Sequence, residues 1–305
     1  MRTYRFYQLD VFTDRPFGGN PLAVFPDAEG LSDLEMQLLA KEMNLSETTF
    51  VLPPSRPGVD FTVRIFTPAA EVPLAGHPVV GTHHLLAQLG RIRLQSPVTR
   101  VHQELKVGIL PVDLYVESGQ VKRVVMTQAL PQFLNEWREV SGLAAALGIP
   151  EEEIRSTGLT PQVVSTGLPQ MMIPVRSLSA VQNAKPNAAA LLDIGQKAGT
   201  DCFAIFTLET LSPERQVHMR MFAPALGVPE DPATGSASGG VGAYLVKNRV
   251  FSPGKDGTTY LVNEQGYEIN RPSTIYIEVG GSAEHITAVR VGGQAVQFIE
   301  GVVTL

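Results

Sequence analysis

The chain is expected to fold as an α+β protein of two pseudo-symmetric halves, each wrapping mostly antiparallel strands about one apolar helix. Three observations predict this. The stretch Phe222 to Leu245, FAPALGVPEDPATGSASGGVGAYL, reads as a strand ending near Pro224, a tight loop, and a helix starting near Gly235 with no charged residue until Lys247. A helix without a charged face belongs inside its domain. The same plan occurs earlier in the chain. Arg64-Ile65-Phe66-Thr67-Pro68-Ala69 matches Arg220-Met221-Phe222-Ala223-Pro224-Ala225, and Val72-Pro73 matches Val228-Pro229 at the same offset. Ala75-Gly76-His77-Pro78 then leads into another mostly apolar helix, from about Pro78 to Leu89. Repetition of a whole strand-turn-helix unit implies two similar halves. Finally, most predicted strands succeed one another through short turns, which favours antiparallel pairing.

Arg5 to Val11 reads as a strand, Phe17-Gly18-Gly19-Asn20-Pro21 as a turn, and Leu22 to Phe25 as a second strand. Ser32 with Glu35 gives a capping-box signature for a helix over Leu31 to Met43. Asn44 ends that helix, and the chain turns into a strand by Leu52, with Glu47 at the strand's start. Asp60 to Phe66 delivers the first apolar helix. Val101 to Leu105 and Ile109 to Val116 form a hairpin about Gly108, followed by Val121 to Met126. Pro131 to Trp137 is the least patterned region and reads as the interdomain crossing. The second half offers helices near Ser141 to Leu147 and Asn187 to Lys197. Its strands fall at Val163-Val164, Met171 to Val175, Cys202 to Leu208 and Gln216 to Phe222, and after the second apolar helix at Thr274 to Val279, Ile286 to Val291 and Ala295 to Ile299.

Composition narrows the classes. At 305 residues, 44% hydrophobic and 18% charged, the chain has material for one large or two ordinary globular domains. A formal charge of −6 without a Lys/Arg cluster argues against a nucleic-acid surface. No run approaches the ~20 apolar residues of a membrane span. The amino terminus lacks the apolar core of a signal peptide and reads as a strand, so a soluble cytoplasmic protein is expected.

Chemistry is sought where polar residues gather at predicted turns: Asn20, Glu47, Gly76-His77, Asp231 and Thr234-Gly235-Ser236. A carboxyl held against apolar neighbours has its neutral form favoured, which would make Glu47 a competent acid and base. Position alone also admits a solvated side chain at a helix–strand junction. His77, just ahead of Pro78, is expected at a helix N-cap, where the dipole disfavours an imidazolium and leaves a neutral ring that donates or shuttles a proton. A purely structural histidine fits the same place. His83 and His84 fall inside the apolar helix as core or partly buried residues. Thr234 or Ser236 can cap the second helix, whose start, like the first, suits a carboxylate.

Other chemistries test poorly. His77 and His84 stand about 10 Å apart along the helix axis, whereas a shared zinc needs nitrogens within about 2.1 Å. No metal site is therefore expected. Gly235-Ser236-Ala237-Ser238-Gly239 puts Ala237 where a G-x-S-x-G elbow needs serine. No phosphate-binding loop occurs, and Cys202, mid-strand, reads as a buried small hydrophobe. Proton transfer without a cofactor remains.

These same residues resemble a known family. Phe17-x-Gly19-Asn20-Pro21, Ser46-Glu47-Thr48, Phe66-Thr67-Pro68 with Ala75-Gly76-His77-Pro78, and Glu230-Asp231-Pro232-Ala233-Thr234-Gly235-Ser236-Ala237 are similar to the hallmarks of the phenazine-biosynthesis PhzF-like isomerases. Gln265-Gly266 and Arg271-Pro272-Ser273 extend the likeness over essentially the whole chain. The resemblance implies the diaminopimelate epimerase-like fold, a curved sheet about a central helix in each domain, an active site between the domains, a homodimer and cofactor-free chemistry. The domains would span 1–125, completed by the last strand over about 297–305, and 126–296. Glu47 matches the family's acid/base, while His77, Asp231 and Ser236 match groups that orient substrate and assist proton movement. Gly76 and Gly235 match backbone donors, and Asn20 and Thr234 join them as substrate-binding candidates. The family's isomerase moves hydrogen between ring carbons of trans-2,3-dihydro-3-hydroxyanthranilate. Relatives within the fold that racemise amino acids place a cysteine at each helix start; this chain has none at either.

The expected function is thus a cofactor-independent isomerase acting through Glu47 on a small anionic metabolite, an unsaturated or cyclic carboxylic acid. A dehydratase of the same fold, or a protein that only binds a small ligand there, are the competing readings.

Overall fold

The computed structural model describes residues 1–305 and divides them into two units, Met1–Thr127 with Gly292–Leu305, and Gln128–Val291. The first unit contains β1 (Thr3–Val11), β2 (Asn20–Phe25), α1 (Asp33–Met43), β3 (Glu47–Leu52), β4 (Phe61–Phe66), β5 (Glu71–Val72), α2 (Gly76–Gln88), β6 (Val98–Leu105), β7 (Gly108–Glu117) and β8 (Gln120–Thr127). Next come β9 (Gln132–Glu136), α3 (Val140–Leu147), α4 (Glu151–Arg155), β10 (Gln162–Ser165), β11 (Pro169–Pro174), α5 (Leu178–Asn183), α6 (Ala188–Ala198), β12 (Phe203–Thr207), β13 (Val217–Ala223), β14 (Val228–Asp231), α7 (Gly235–Lys247), β15 (Thr258–Gln265), β16 (Ser273–Gly281) and β17 (Ile286–Gly293). The last strand, β18 (Ala295–Thr304), pairs antiparallel with β1, Thr3 opposite Thr304. No helix is long and apolar enough to cross a membrane.

The repeated sequence plan is a repeated topology. In the first unit β2 and β3 are parallel across α1, β3 and β4 antiparallel, and β4 and β6 parallel across α2. In the second, β11 and β12 are parallel across α5 and α6, β12 and β13 antiparallel, and β13 and β15 parallel across α7. Pairing is mostly antiparallel, as the short turns predict. The parallel exceptions occur where a helix carries the chain back to the starting edge.

Each sheet is covered on both faces, so its central strands are buried throughout, as in β12 and β13. On one face of the first unit, Phe25 stacks on Phe50 at 4.9 Å and Phe66 meets Phe50 edge-on at 5.4 Å. Met36, Leu39 and Ala40 of α1 join this cluster. On the other face α2 lies so close that a Cβ on Gly81 would come within 2.7 Å of Leu22 and Val11. In the second unit Met171, Ile173, Phe203 and Ile205 pack with α3, α5 and α6, while Met172, Ala204 and Phe206 pack with α7. Residues on α7 are small for the same reason as Gly81: a Cβ at Gly242 would meet Ile277 at 2.5 Å.

Three local expectations need correction. Pro131–Trp137 is not an unpatterned crossing, because Gln132–Glu136 is a strand that pairs with β10; it is largely exposed and shows no apolar alternation. Gly76, not Pro78, begins α2, which puts His77 inside the first turn with Ala75 as N-cap. Proline is tolerated there because the first-turn N–H groups have no intrahelical partner. Neither Thr234 nor Ser236 caps α7.

The repeated Arg-x-Phe segment builds the same clamp twice. Arg64 forks onto Glu71 (Nε–Oε1 2.9 Å, NH2–Oε2 3.0 Å), and Arg220 forks onto Glu230 (Nε–Oε1 2.9 Å, NH2–Oε2 2.8 Å). Each guanidinium lies over the phenylalanine two residues on, 5.1 Å from the Phe66 ring and 5.0 Å from that of Phe222. Both clamps hold the short strand that precedes a central helix, β5 before α2 and β14 before α7. Arg220 is the more deeply set, with 9% of its side chain exposed against 23% for Arg64, and its NH1 also serves the carbonyls of Val181 and Ala184. Removing one member of a buried ion pair strands the other charge. Arg220→Ala is therefore expected to cost about 3–5 kcal/mol and Arg64→Ala clearly less, as read from denaturant midpoints of the two variants.

Candidate active site

In the first unit the site candidates collect at the strand starts and the head of α2. Parallel pairing sets Leu22 beside Glu47, so Asn20, the fully buried first residue of β2, lies at the same end of the sheet as Glu47, the first residue of β3. The turn that delivers Asn20 depends on Gly19, whose φ of +57° and 2.0 Å approach of a hypothetical Cβ to the Val11 carbonyl admit no side chain. The Phe17 N–H binds Asp10 Oδ2 at 2.8 Å and closes the same turn.

His77 Nε2 lies 3.3 Å from Glu47 Oε2, with 7% of the His77 side chain and 18% of the Glu47 side chain exposed. Burial pushes the His77 imidazole down to about 3. Beside Glu47, therefore, stands a neutral ring, as expected, although the cause is burial in the first helical turn and not a cap position. His83, fully buried, is pushed down to about 4 by burial and bonds the Val79 carbonyl through Nδ1 at 2.9 Å. It belongs to the core.

No side chain caps α2 or α7. First-turn N–H groups without a cap are donors aimed along the helix axis toward whatever anion arrives, and Gly76 and Gly235 are the first residues of these two turns.

The second unit holds its candidates on a buried carboxamide scaffold. Asp231 ends β14, and Thr234 donates its hydroxyl to Asp231 Oδ2 instead of capping α7. Gln265, fully buried, grips the same loop: its Oε1 accepts from the Thr234 N–H at 2.9 Å. Its Nε2 donates to the Asp231 carbonyl at 2.7 Å and to Thr234 Oγ1 at 2.9 Å. Gly266 comes next in the chain with φ +81°, and a Cβ there would lie 2.5 Å from the Pro232 carbonyl. Ser236, the second helical residue, receives a hydrogen bond from Gln170 Nε2 at 2.8 Å, which leaves its own hydroxyl proton to be donated elsewhere. Gln128 Nε2 bonds the Gly235 carbonyl at 2.9 Å.

The structure thus brings Glu47 to His77, and Asp231 to Thr234, and sets Gly76, Gly235 and Ser236 in uncapped helix starts. Sequence reasoning missed Gln170 and Gln128 as supports of the α7 turn. Gln265 was visible only as part of a motif; its signal was a polar side chain at an inward strand position. No group of three or more His, Cys, Asp or Glu side chains is gathered as a metal site. Cys202 is buried, its thiol pushed up to about 12 by burial, so it is unsuited to take a proton.

Comparison with known proteins places this chain in a family. The model of phenazine biosynthesis-like proteins, PhzC-PhzF, matches residues 9–301. Trans-2,3-dihydro-3-hydroxyanthranilate isomerase of Pseudomonas aeruginosa is 36% identical over 298 residues, covering 98% of this chain and 98% of its own. The crystal structure of a Bacillus anthracis phenazine biosynthesis protein of the PhzF family superposes with a TM-score of 0.90 at 30% identity, covering 100% of both chains. A hydroxyproline epimerase from Agrobacterium vitis, 13% identical with a TM-score of 0.68 over 99% of this chain and 92% of its own, shares the fold alone. The architecture is accordingly the α+β fold of the diaminopimelate epimerase kind, and the chain belongs to the PhzC-PhzF, phenazine biosynthesis-like family of isomerases.

Proposed function

We propose that this isomerase moves a proton between carbons of a small carboxylic acid, with Glu47 as the group that takes the proton and returns it. The observation that carries the reading is the 3.3 Å approach of His77 Nε2 to Glu47 Oε2 in a largely buried setting beside an uncapped helix start. One carbon–hydrogen bond breaks, its proton passes to Glu47, and a carbon–hydrogen bond forms elsewhere in the substrate. No electrons are gained or lost, so the scheme calls on no cofactor.

Negative charge that builds on the substrate's carboxyl or ring system between the two transfers needs donors already in place. The N–H groups at Gly76 and Gly235 and the Ser236 hydroxyl are of that kind. Asp231, tied to Thr234, orients the substrate in this scheme, and Asn20 lines the same end as Glu47. Unsaturated and cyclic carboxylic acids are the candidate class, and trans-2,3-dihydro-3-hydroxyanthranilate, named in the Pseudomonas relative, heads the panel to be tried.

The test is incorporation of deuterium from solvent at carbon, followed by mass across such a panel. Glu47→Gln keeps the side-chain shape and removes the titrating group, and should lower exchange by at least about 100-fold, the span of general acid–base catalysis. Exchange at the parental rate would remove Glu47 from the mechanism.

His77 supplies a pH prediction. Its folded pKa of about 3 lies below the ordinary 6.5, so the unfolded chain binds the proton first. The neutral ring's contribution to stability is complete above pH 6.5 and is withdrawn as pH falls toward 3. Urea midpoints of His77→Asn, which cannot titrate, should fall less steeply on acidification than those of the parent.

A further inference from the structure

His218 stands on β13 with its side chain fully buried, Nδ1 2.8 Å from Glu264 Oε1 and Nε2 2.8 Å from Glu268 Oε1. An ionised carboxylate only accepts hydrogen bonds, so a ring facing one at each nitrogen carries both protons and a positive charge. Burial alone lowers the imidazole pKa, but the bonds to Glu264 and Glu268 outweigh it and raise the value above 6.5. Burial would raise the two carboxyls, but His218 together with the Leu211 N–H and Arg215 at Glu264, and with Arg220 at Glu268, outweighs it and holds both below their usual range.

The surroundings are consistent with this charge. Arg215 NH1 lies 3.2 Å from Glu264 Oε2, the Leu211 N–H binds Glu264 Oε1 at 2.6 Å, and Arg220 acts on Glu268 through its field. The Tyr267 ring centroid is 6.0 Å from that of the imidazole, and the residue opposite on β12 is the neutral Thr207.

Glu264 and Glu268 bracket Gln265 and Gly266. Successive side chains on a strand point to opposite faces, so the His218 bridge grips the turn from one side while Gln265 grips the Asp231–Thr234 loop from the other. Ser273 Oγ donates to the Gln265 carbonyl at 3.1 Å and completes the seat. We propose that His218 is a positioning residue: by tying both ends of the turn it fixes Gln265, and with it the Asp231–Thr234 loop that, if the proposed isomerase scheme holds, serves the substrate. Losing a proton would turn one ring nitrogen into a lone pair facing a carboxylate, breaking one arm of the bridge and loosening the loop. A raised pKa makes this an alkaline event: the bridge is complete below pH 6.5 and is lost as pH rises through the folded value.

Amide hydrogen exchange at residues 231–236, expressed as protection factors over a pH series, tests this with α2 as internal control and the His218 ring nitrogens followed by NMR. Protection should fall by about tenfold, the worth of one hydrogen bond to a charged group, as the imidazole titrates, with α2 unchanged. Glu268→Gln weakens the hold on the cation and should move that fall to lower pH, a displacement that a merely structural contact would not produce. His218→Gln should show the low protection at every pH, and His218→Lys, again a cation with several donors, should restore it. Protection that ignores the titration, or a fall that Glu268→Gln leaves in place, overturns the assignment; these two measurements decide it should His218→Gln not fold. Deuterium incorporation at substrate carbon is run alongside. Its complete absence from the parent would sink the isomerase scheme, while the protection data still decide the role of His218.

Discussion

The twin arginine forks are the constraint on which the rest depends. Arg64 and Arg220 each join a long central strand to the short strand that returns beside it, and each carries its guanidinium over a phenylalanine of the same strand. A planar fork matched to a carboxylate fixes direction as well as distance, which a lysine could not do. The short strand therefore leaves its hairpin along a set path, and in both units that path leads directly into the first turn of the central helix. His77, which meets Glu47, and Thr234, which meets Asp231, are placed by that exit. Burying the second fork deeper matches its larger task, since Arg220 also gathers carbonyls at the C-terminal end of α5, those of Val181 and Ala184.

Much of this was legible in the sequence where the physics is local. The capping box of α1 is formed as read, Ser32 Oγ accepting from the Glu35 N–H while Glu35 Oε2 accepts from the Ser32 N–H at 2.8 Å. Asn44 ends the helix in the left-handed region at φ 51°. The two apolar helices stood out because nothing charged interrupts them. Strands such as β15 did not: its inward positions include Asn263 and Gln265, polar residues whose burial depends on partners far away in the chain, Ser238 and Thr234. Apolar alternation cannot report a strand that buries carboxamides. Parallel pairing was likewise hidden, because it depends on where a helix deposits the chain and not on any residue within the strands.

The site divides in the same way. Glu47 at a strand start and Gly235 at a helix head are legible from punctuation and periodicity. The state of His77 was right in outcome and wrong in cause, because Pro78 marks a helix start in sequence while the helix itself begins two residues earlier, at Gly76. Burial, a tertiary quantity, is what keeps the ring neutral. The carboxamides of Gln128, Gln170 and Gln265 carry no local signature, yet they seat the α7 turn and the loop before it. Thr234 illustrates the general difficulty. Its residue type is a good N-cap, but Gln265 and Asp231 engage its hydroxyl, and the cap is left unmade.

An unmade cap is a real cost, typically ~1 kcal/mol, and α7 adds to it. Gly235, Gly239, Gly240 and Gly242 lie in this one helix, and each gives up roughly 1 kcal/mol of helix propensity relative to alanine. Such a segment would not hold a helix by itself. It is helical because the sheet accepts it at a distance only glycine permits, with Met172 and Ile277 against Gly240 and Gly242 and the Gln128 amide against Gly239. The helix start is consequently not a free end that frays and finds a cap. It is positioned by β11, β16 and two glutamines, and its N–H groups point where the tertiary structure aims them. Donors fixed in that way need no reorganisation when charge develops before them, which is the condition an electrostatic contribution to proton transfer must meet.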